Sequence, residues 1–492
     1  MTAWRLRPLF VALLGALASP ALSAQGPVPV LTLNDAIRLA LANNRSLKVV
    51  SYSRGIARAN WLSQVGAFDP TLNFGRSYSE SRELDSLGAV QLDEVRTNSY
   101  SLSLQGQTPW GLTYSVGGTS QNQGDLYSGF APDFLTFGGF QVTQPLLKGF
   151  GFGANLEGVR IAKANRSISD WAYRQAAMST VTGVVIAYSN LLQAHETLRI
   201  ARKFKDLLDS TADGTEKSFA IGYVSKSDVI TARARATGQE ESVLISERAV
   251  RDAENQLRLL LGQDAFPTDQ PLYALEPMGP PDDVVVRPQE DLQLALNQRS
   301  DYQQARLGLV IDRAGSAAAR NGLLPEVDFV GGYGYNGVAT AFSASRQMVF
   351  DRMNPSYSAG IQVSIPLTFA QARGRARAAR LQLEQDDEGL RFLEANIALQ
   401  LATAAGQIET TRKRVAADRA AYDLANQALE AEVKKFHAGT SNILFVLELQ
   451  GDLASSEISV SNAVAAQQQA AANYTLQLGS TLRRHNISLA EP

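Results

Sequence analysis

Any chemistry in this chain has to come from a short list of side chains. There are three histidines and no cysteine, which excludes disulfides, thiol nucleophiles and cysteine metal sites. His195-Glu196 opens like a zinc-protease helix, but Arg199 stands where the second histidine belongs, and the motif fails. Gly149-Phe-Gly151-Phe-Gly153, with Asp170 further along, has the outline of a dinucleotide fingerprint. Its third glycine is one position off and the helix that follows is too long for a crossover, so the stretch reads as a flexible elbow between a strand and a helix. No cluster supplies a nucleophile with a base, or a paired acid and base. The sequence predicts no catalytic, cofactor-binding or metal-ligating residue, and no enzyme. With 46 basic and 48 acidic side chains and no dense basic run, it gives no reason to expect nucleic acid as a partner.

The polar residues that remain of interest sit beside two chain reversals, and long helices must position them. Leu401, Ile408, Val415, Tyr422, Leu429 and Phe436 recur every seventh residue, a coiled-coil seam that needs a partner. A second seam runs through Val446, Leu453, Val460, Gln467 and Tyr474. Between them the chain turns at Gly439, a residue suited to the left-handed position past a helix end, and Asn442 caps the next helix. An earlier hairpin turns at Gly222, its first arm marked by Val181, Val184, Tyr188, Leu191, His195 and Leu198. His195 lies on that apolar stripe and reads as an interior histidine. Ser225 and Asp228 have the spacing of a capping box at the start of the second arm.

Strand-like alternation fills the stretches before each hairpin. Tyr100, Leu102 and Leu104 alternate with serines, and Leu112, Tyr114, Val116, Phe140 and Val142 continue the pattern. One face is apolar and the other carries Ser, Thr, Gln and Gly, which fits a lipid-facing barrel wall shared by several copies of the chain. Arg5 and Arg7, an apolar run from Leu9 to Ala18, and small residues ending at Ala24 read as a secretory signal peptide.

Subtraction exposes a duplication. Pro70 and Pro325, Phe74 and Phe329, and Tyr78 and Tyr333 are each 255 residues apart, while Phe219 and Phe436, Gly222 and Gly439, and Gly262 and Gly479 are each 217 apart. The chain divides into a signal peptide (1–24), a first repeat of helix, strands and helical hairpin (25–262), a linker or equatorial segment (263–290), a second repeat of the same plan (291–480) and a tail (481–492). A helix predicted from Thr32 to about Val65 opens the first repeat.

In this order the motifs resemble the TolC-like outer membrane factors across nearly the whole mature chain. The residues that carry the likeness are Leu31-Thr-Leu-Asn-Asp-Ala36 with Ala40-Leu41-Ala-Asn-Asn44, the strand exit Thr143-Gln-Pro-Leu-Leu147, Gln362-Val-Ser-Ile-Pro-Leu367, and the tips Ile221-Gly222-Tyr223 and Ala438-Gly439-Thr440. The resemblance implies a mixed α and β membrane protein, a homotrimer whose long coiled-coil hairpins form an α-helical barrel continuous with a β-barrel in the outer membrane. It implies an exit duct of an efflux pump or type I secretion system, reaching through the periplasm, with its tips on a periplasmic adaptor and energised by an inner-membrane transporter. The rival reading is a non-conducting periplasmic scaffold with a β cap. Some members latch the closed tip through an aspartate, a tyrosine and an arginine; Asp228 matches the first, and Phe436 and Ser441 replace the others. Phe445 and Glu448 fall where such members carry two constriction aspartates. The expected gate is therefore Asp228, Phe436, Ser441, Phe445 and Glu448. Members usually contribute four strands per chain, whereas residues 98–120 here look like an additional hairpin, leaving four or six.

Overall fold

The computed structural model describes residues 30–84, 92–125, 133–262, 274–275 and 284–489. The signal-peptide reading of residues 1–24 and most of the 263–290 segment lie outside the described residues. A short parallel pair, β1 (Val30–Leu31) and β6 (Ala274–Leu275), joins the two halves.

The first repeat runs α1 (Leu33–Asn43), α2 (Arg45–Val65), β2 (Thr71–Leu84), β3 (Leu92–Gln107), β4 (Thr113–Asp125), β5 (Asp133–Pro145), α3 (Phe152–Asn155), α4 (Glu157–Ala220) and α5 (Lys226–Leu260). The second runs α6 (Pro288–Gln298), α7 (Ser300–Asn321), β7 (Glu326–Ala339), α8 (Phe342–Phe350), β8 (Pro355–Ser364), α9 (Ala370–His437), α10 (Ile443–Gln477) and α11 (Thr481–Arg484). The hairpin arms are 64 and 35 residues in the first copy and 68 and 35 in the second, so the duplication survives in length as well as order.

The helix predicted to run unbroken from Thr32 is interrupted at Asn44, whose ψ of 121° is not helical. Asn44 caps the next helix by accepting from the Leu47 N–H at 3.0 Å, and its amide donates to the Leu260 carbonyl at 2.9 Å. The interruption is thus a joint that sets the end of α5 against the start of α2. The second repeat breaks 255 residues later, at Arg299, which donates to Gln477 at the end of α10 at 2.8 Å. Stacked this way, α2 and α5 lie along one long helix, α4, while α7 and α10 lie along both α4 and α9. Around the joint α4 buries Met178, Val181, Val184, Tyr188 and Leu191 at the predicted three and four spacing, and the Tyr188 hydroxyl donates to the Leu31 carbonyl at 2.8 Å. Residues of both predicted seams are buried or half-buried between α9 and α10.

All six long strands form one antiparallel sheet in the order β2-β3-β4-β5-β7-β8. Residues 98–120 are therefore parts of two further strands of this sheet, β3 and β4, with the turn between them, and the two strands pair through 13 registered positions. The register collects Leu72, Phe74, Tyr100, Leu102, Leu104, Val116, Phe140, Phe329, Tyr333, Tyr357 and Ile361 on one exposed face, with Tyr357 83% and Phe74 76% accessible. The opposite face is mostly Ser, Thr, Gln, Asn and Gly. On that polar face Gly117, Gly139 and Gly334 form a row across β4, β5 and β7. A methyl group on Gly117 would come within 2.6 Å of the Ser103 Cα, and one on Gly139 within 2.7 Å of the Gly334 Cα. On the apolar face a Cβ on Gly118 would also meet backbone, 2.8 Å from the Phe137 carbonyl, but the approach to Cα atoms is closer on the polar face, which favours a sheet that curls toward that face.

Helix α8 lies against the apolar face near the strand ends farthest from the helices. Its Ser345 completes a buried hydroxyl chain with Thr136 at 2.8 Å and, through Thr136, Ser120 at 3.0 Å, and Phe342 packs on Phe134. Gly337 lets the helix backbone in, because a Cβ there would meet the Ser345 carbonyl. Nothing in the alternation of the flanking strands signals this helix.

Candidate functional site

The hairpin tips are the ends of the molecule most distant along the chain from the sheet, and both are built alike. After α4, Gly222 adopts a φ of 78°, its N–H bonds to the Phe219 carbonyl at 2.9 Å, and the Tyr223 N–H bonds to the Ser218 carbonyl at 2.9 Å. After α9, Gly439 adopts a φ of 75°, with Gly439 N–H to Phe436 at 3.0 Å and Thr440 N–H to Lys435 at 3.0 Å. These are paired Schellman closures, in which glycine supplies the left-handed residue. Ile221 is 82% exposed and Tyr223 58%, two large apolar groups standing in solvent at the first tip. The tips also touch: the Tyr223 hydroxyl stands 3.0 Å from where a Cβ on Gly439 would lie. Sequence spacing has no means of finding that contact, since the residues are in different repeats.

Each second arm starts from a side-chain cap. Asp228 Oδ2 accepts from the Ser225 backbone N–H at 2.9 Å and from its hydroxyl at 2.7 Å, while the Ser225 hydroxyl accepts from the Asp228 N–H at 3.2 Å. Asp228 is thus engaged through Oδ2 in the capping box within one chain. Asn442 does the equivalent work for α10, accepting from the Phe445 N–H at 3.2 Å.

The other gate candidates separate into two groups. Phe436 is half-buried and packs with Leu429 and Val433 on a core of Leu208, Ala212, Ala232, Ala236, Ile443, Val446 and Leu447, drawn from both hairpins. Ser441 donates to Glu432, which Lys435 also holds at 3.0 Å; the Ser441 hydroxyl first, then the lysine, keep that carboxyl below its ordinary range. Glu432 is a tip residue the motif reading passed over, though its place three residues before Lys435 was visible. Phe445 and Glu448 are both exposed, one turn apart on the same face of α10, with their side chains outside the hairpin core.

Elsewhere the sequence candidates find structural roles. The glycine elbow is pinned: the Asn155 amide donates to the Gly149 and Gly151 carbonyls at 2.7 and 2.9 Å, and the Gly149 N–H donates to Asn321 at 2.8 Å. Those three bonds set the path of the elbow expected between strand and helix. His195 is half-buried on a cavity of about 770 Å³ between α4, α9 and α10, where desolvation lowers the imidazole pKa against the opposing pull of Glu254. Beside it Arg199 binds Glu196 and Glu457 at 2.7 Å each, and Lys203 binds Glu457 at 3.2 Å, tying α4 to α10. Among the described residues no group of three or more His, Cys, Asp or Glu could hold a metal ion, and no helix is long and apolar enough to cross a membrane.

The comparisons fit this architecture. The chain is 24% identical over 316 residues to outer membrane protein TolC of Escherichia coli K12, a match covering 60% of each chain, so the chain spans somewhat less than two thirds of that relative. In fold it is similar to a membrane protein from Pseudomonas aeruginosa, with a TM-score of 0.69, 21% identity and coverage of 91% of this chain and 92% of that one. It is similar also to the outer membrane protein VceC from Vibrio cholerae, with a TM-score of 0.66, 17% identity and coverage of 91% and 96%. The model of the outer membrane efflux protein family matches residues 111–263 and 292–480. With that match over most of its length, the chain belongs to the outer membrane efflux protein family, whose members are outer-membrane channels reaching into the periplasm and not enzymes.

Proposed function

We propose that three copies of this chain close into a passive exit duct, an outer-membrane β-barrel continuous with a periplasmic helical barrel, gated at the tips and energised by an inner-membrane transporter. The observation that carries the reading is that both layers end on the same two sides. Among the described residues β2 and β8 each have one neighbour in the sheet. The helix that precedes β2 is α2, and the helix that follows β8 is α9; these lie at opposite sides of the helical layer, with α5 continuing the α2 side. Along those sides Val49, Tyr52 and Ile56 of α2, Ile230, Leu244 and Ile245 of α5, and Phe392, Leu399 and Leu424 of α9 are exposed. A second copy placed head to tail covers all three stripes and pairs β2 with β8, and repetition closes a ring. The convex apolar face then meets outer-membrane lipid and the concave polar face lines water.

In such a ring the tips with Ile221, Gly222, Tyr223, Ala438, Gly439 and Thr440 offer the adaptor its contact. Phe445 and Glu448 become rings at the periplasmic mouth, and Asp228, Phe436 and Ser441 support them from behind. The cargo is an efflux solute or a secreted polypeptide. The test is purification in detergent followed by recording in planar bilayers: a stable trimer that conducts is expected, and a water-soluble monomer, or a trimer that never conducts, overturns the duct.

A further inference from the structure

We infer that the outer-membrane wall of this duct has eighteen strands and an exit bore as wide as its helical tube, suited to cargo of polypeptide cross-section such as a two-helix segment. The inference rests on the threefold reading above and goes beyond it in naming the bore. Its basis is the β3–β4 hairpin. All 14 residues of β2 pair with β3, 13 registered pairs join β3 to β4, and 11 join β4 to β5, so the hairpin is continuous wall with no break in the ladder. It obeys the same division of faces: Tyr100, Leu102, Leu104 and Val116 are exposed on the apolar side, with Ser99, Ser101, Ser103, Ser115 and Thr119 on the other. A hairpin folded into the lumen, or lying on the outside, would not share both faces with its neighbours.

Geometry turns the strand count into a width. At ~4.8 Å between strands and a tilt of ~40°, eighteen strands close at a radius of ~18 Å and twelve at ~12 Å. The helical layer has four helices abreast in each chain, α2-α4-α7-α9 near the sheet and α5-α4-α10-α9 toward the tips. Twelve helices at ~10 Å spacing close at a radius of ~19 Å. Eighteen strands therefore continue the helical tube at its own width, whereas twelve would taper it at that tilt. Because the wall residues facing inward are mostly small, the free bore is ~25 Å, enough for two packed helices at ~20 Å, which a twelve-stranded bore of ~15 Å excludes.

The chain has no cysteine, so single labels can be placed at will. Nitroxides at Ser358→Cys in β8 and, separately, Ser101→Cys in β3, read by pulsed dipolar spectroscopy in the detergent trimer, report distances across the threefold axis. Cα separations of ~31 Å are expected for eighteen strands and ~21 Å for twelve, shifted by the same label reach in either case. A long distance at both positions supports the inference. The short distance at Ser358→Cys, or unequal distances at the two positions, overturns it while leaving the trimer standing. Absence of any interprotomer distance, with a monomeric mass in detergent, overturns the trimer itself.

Discussion

Replacing the two tip glycines by alanine tests whether the tips are one coupled surface or two independent loops. Gly222 and Gly439 share a left-handed φ of 78° and 75°, so each substitution carries the same backbone cost of about 1–2 kcal/mol. Their surroundings differ. A Cβ on Gly222 meets nothing within 4 Å, whereas one on Gly439 lies 3.0 Å from the Tyr223 hydroxyl and forces that ring aside. The hydroxyl has to give by a few tenths of an ångström, and any part of that shift that the ring does not absorb falls on the loop whose N–H bonds to Ser218. Hydrogen exchange of tip peptides in the assembled protein reads local opening directly. Gly222→Ala should accelerate exchange in its own tip about 5- to 30-fold and leave the other unchanged. Gly439→Ala should accelerate both. In a Tyr223→Phe background, which lacks the hydroxyl, the effect of Gly439→Ala should retreat to its own tip. Matching, strictly local effects of the two substitutions would refute the coupling and with it a single adaptor surface made from both hairpins.

Four further outcomes follow from the structure. Phe445→Ala should raise resting single-channel conductance more than Asp228→Ala, because Asp228 is committed to its capping box, and Glu448→Gln should lower cation preference with assembly unchanged. Burial, then the hydrogen bond and charge of Asp386, raise the Asp312 carboxyl from its usual 3.8 to about 6, so this group lowers stability above pH 6 and ceases to do so as pH falls toward 4. Asp312→Asn should thus stabilise at pH 7.5 by about 1 kcal/mol after discount for solvent screening, the difference vanishing near pH 4 in denaturant titrations at each pH. Gly337→Val should lift α8 from the sheet, exposing the 341–354 segment to proteases while the trimer persists.

The helices were legible because their signals are local and repeated. Heptads at Leu401 to Phe436, capping residues at Ser225 and Asn442, and glycines at Gly222 and Gly439 each specify a structure within a few residues, and the second copy checks the first. The joint at Asn44 was not legible from periodicity, because the apolar pattern runs through it; the local cap to Leu47 is joined by a bond to the Leu260 carbonyl far along the chain, which spacing does not reveal. The same holds for α8, whose place depends on a glycine opposite Ser345, and for the Tyr223–Gly439 contact. The β3–β4 hairpin shows alternation plainly, but alternation cannot say whether a hairpin joins a wall. Register across five ladders decides it. Among the proposed gate residues, identity marked Phe445 and Glu448, while burial divides them from Phe436, which belongs to the core between hairpins.

The glycine row across β4, β5 and β7 bears on how the assembly counts its subunits. A head-to-tail edge such as β8 to β2 is indifferent to number: the same contact makes a trimer, a larger ring or an open ribbon, according to the angle each copy subtends. That angle depends on how far the sheet curls, and Gly117, Gly139 and Gly334 leave their strands free of side chains where a Cβ would meet neighbouring backbone. In the proposed ring, subunit number would thereby be encoded inside each chain, far from the edges that meet. Side chains added along the row would flatten the arc and leave sound edges seeking further partners, so the characteristic failure of such a variant is unlimited growth, with sheets of chain in place of closed rings.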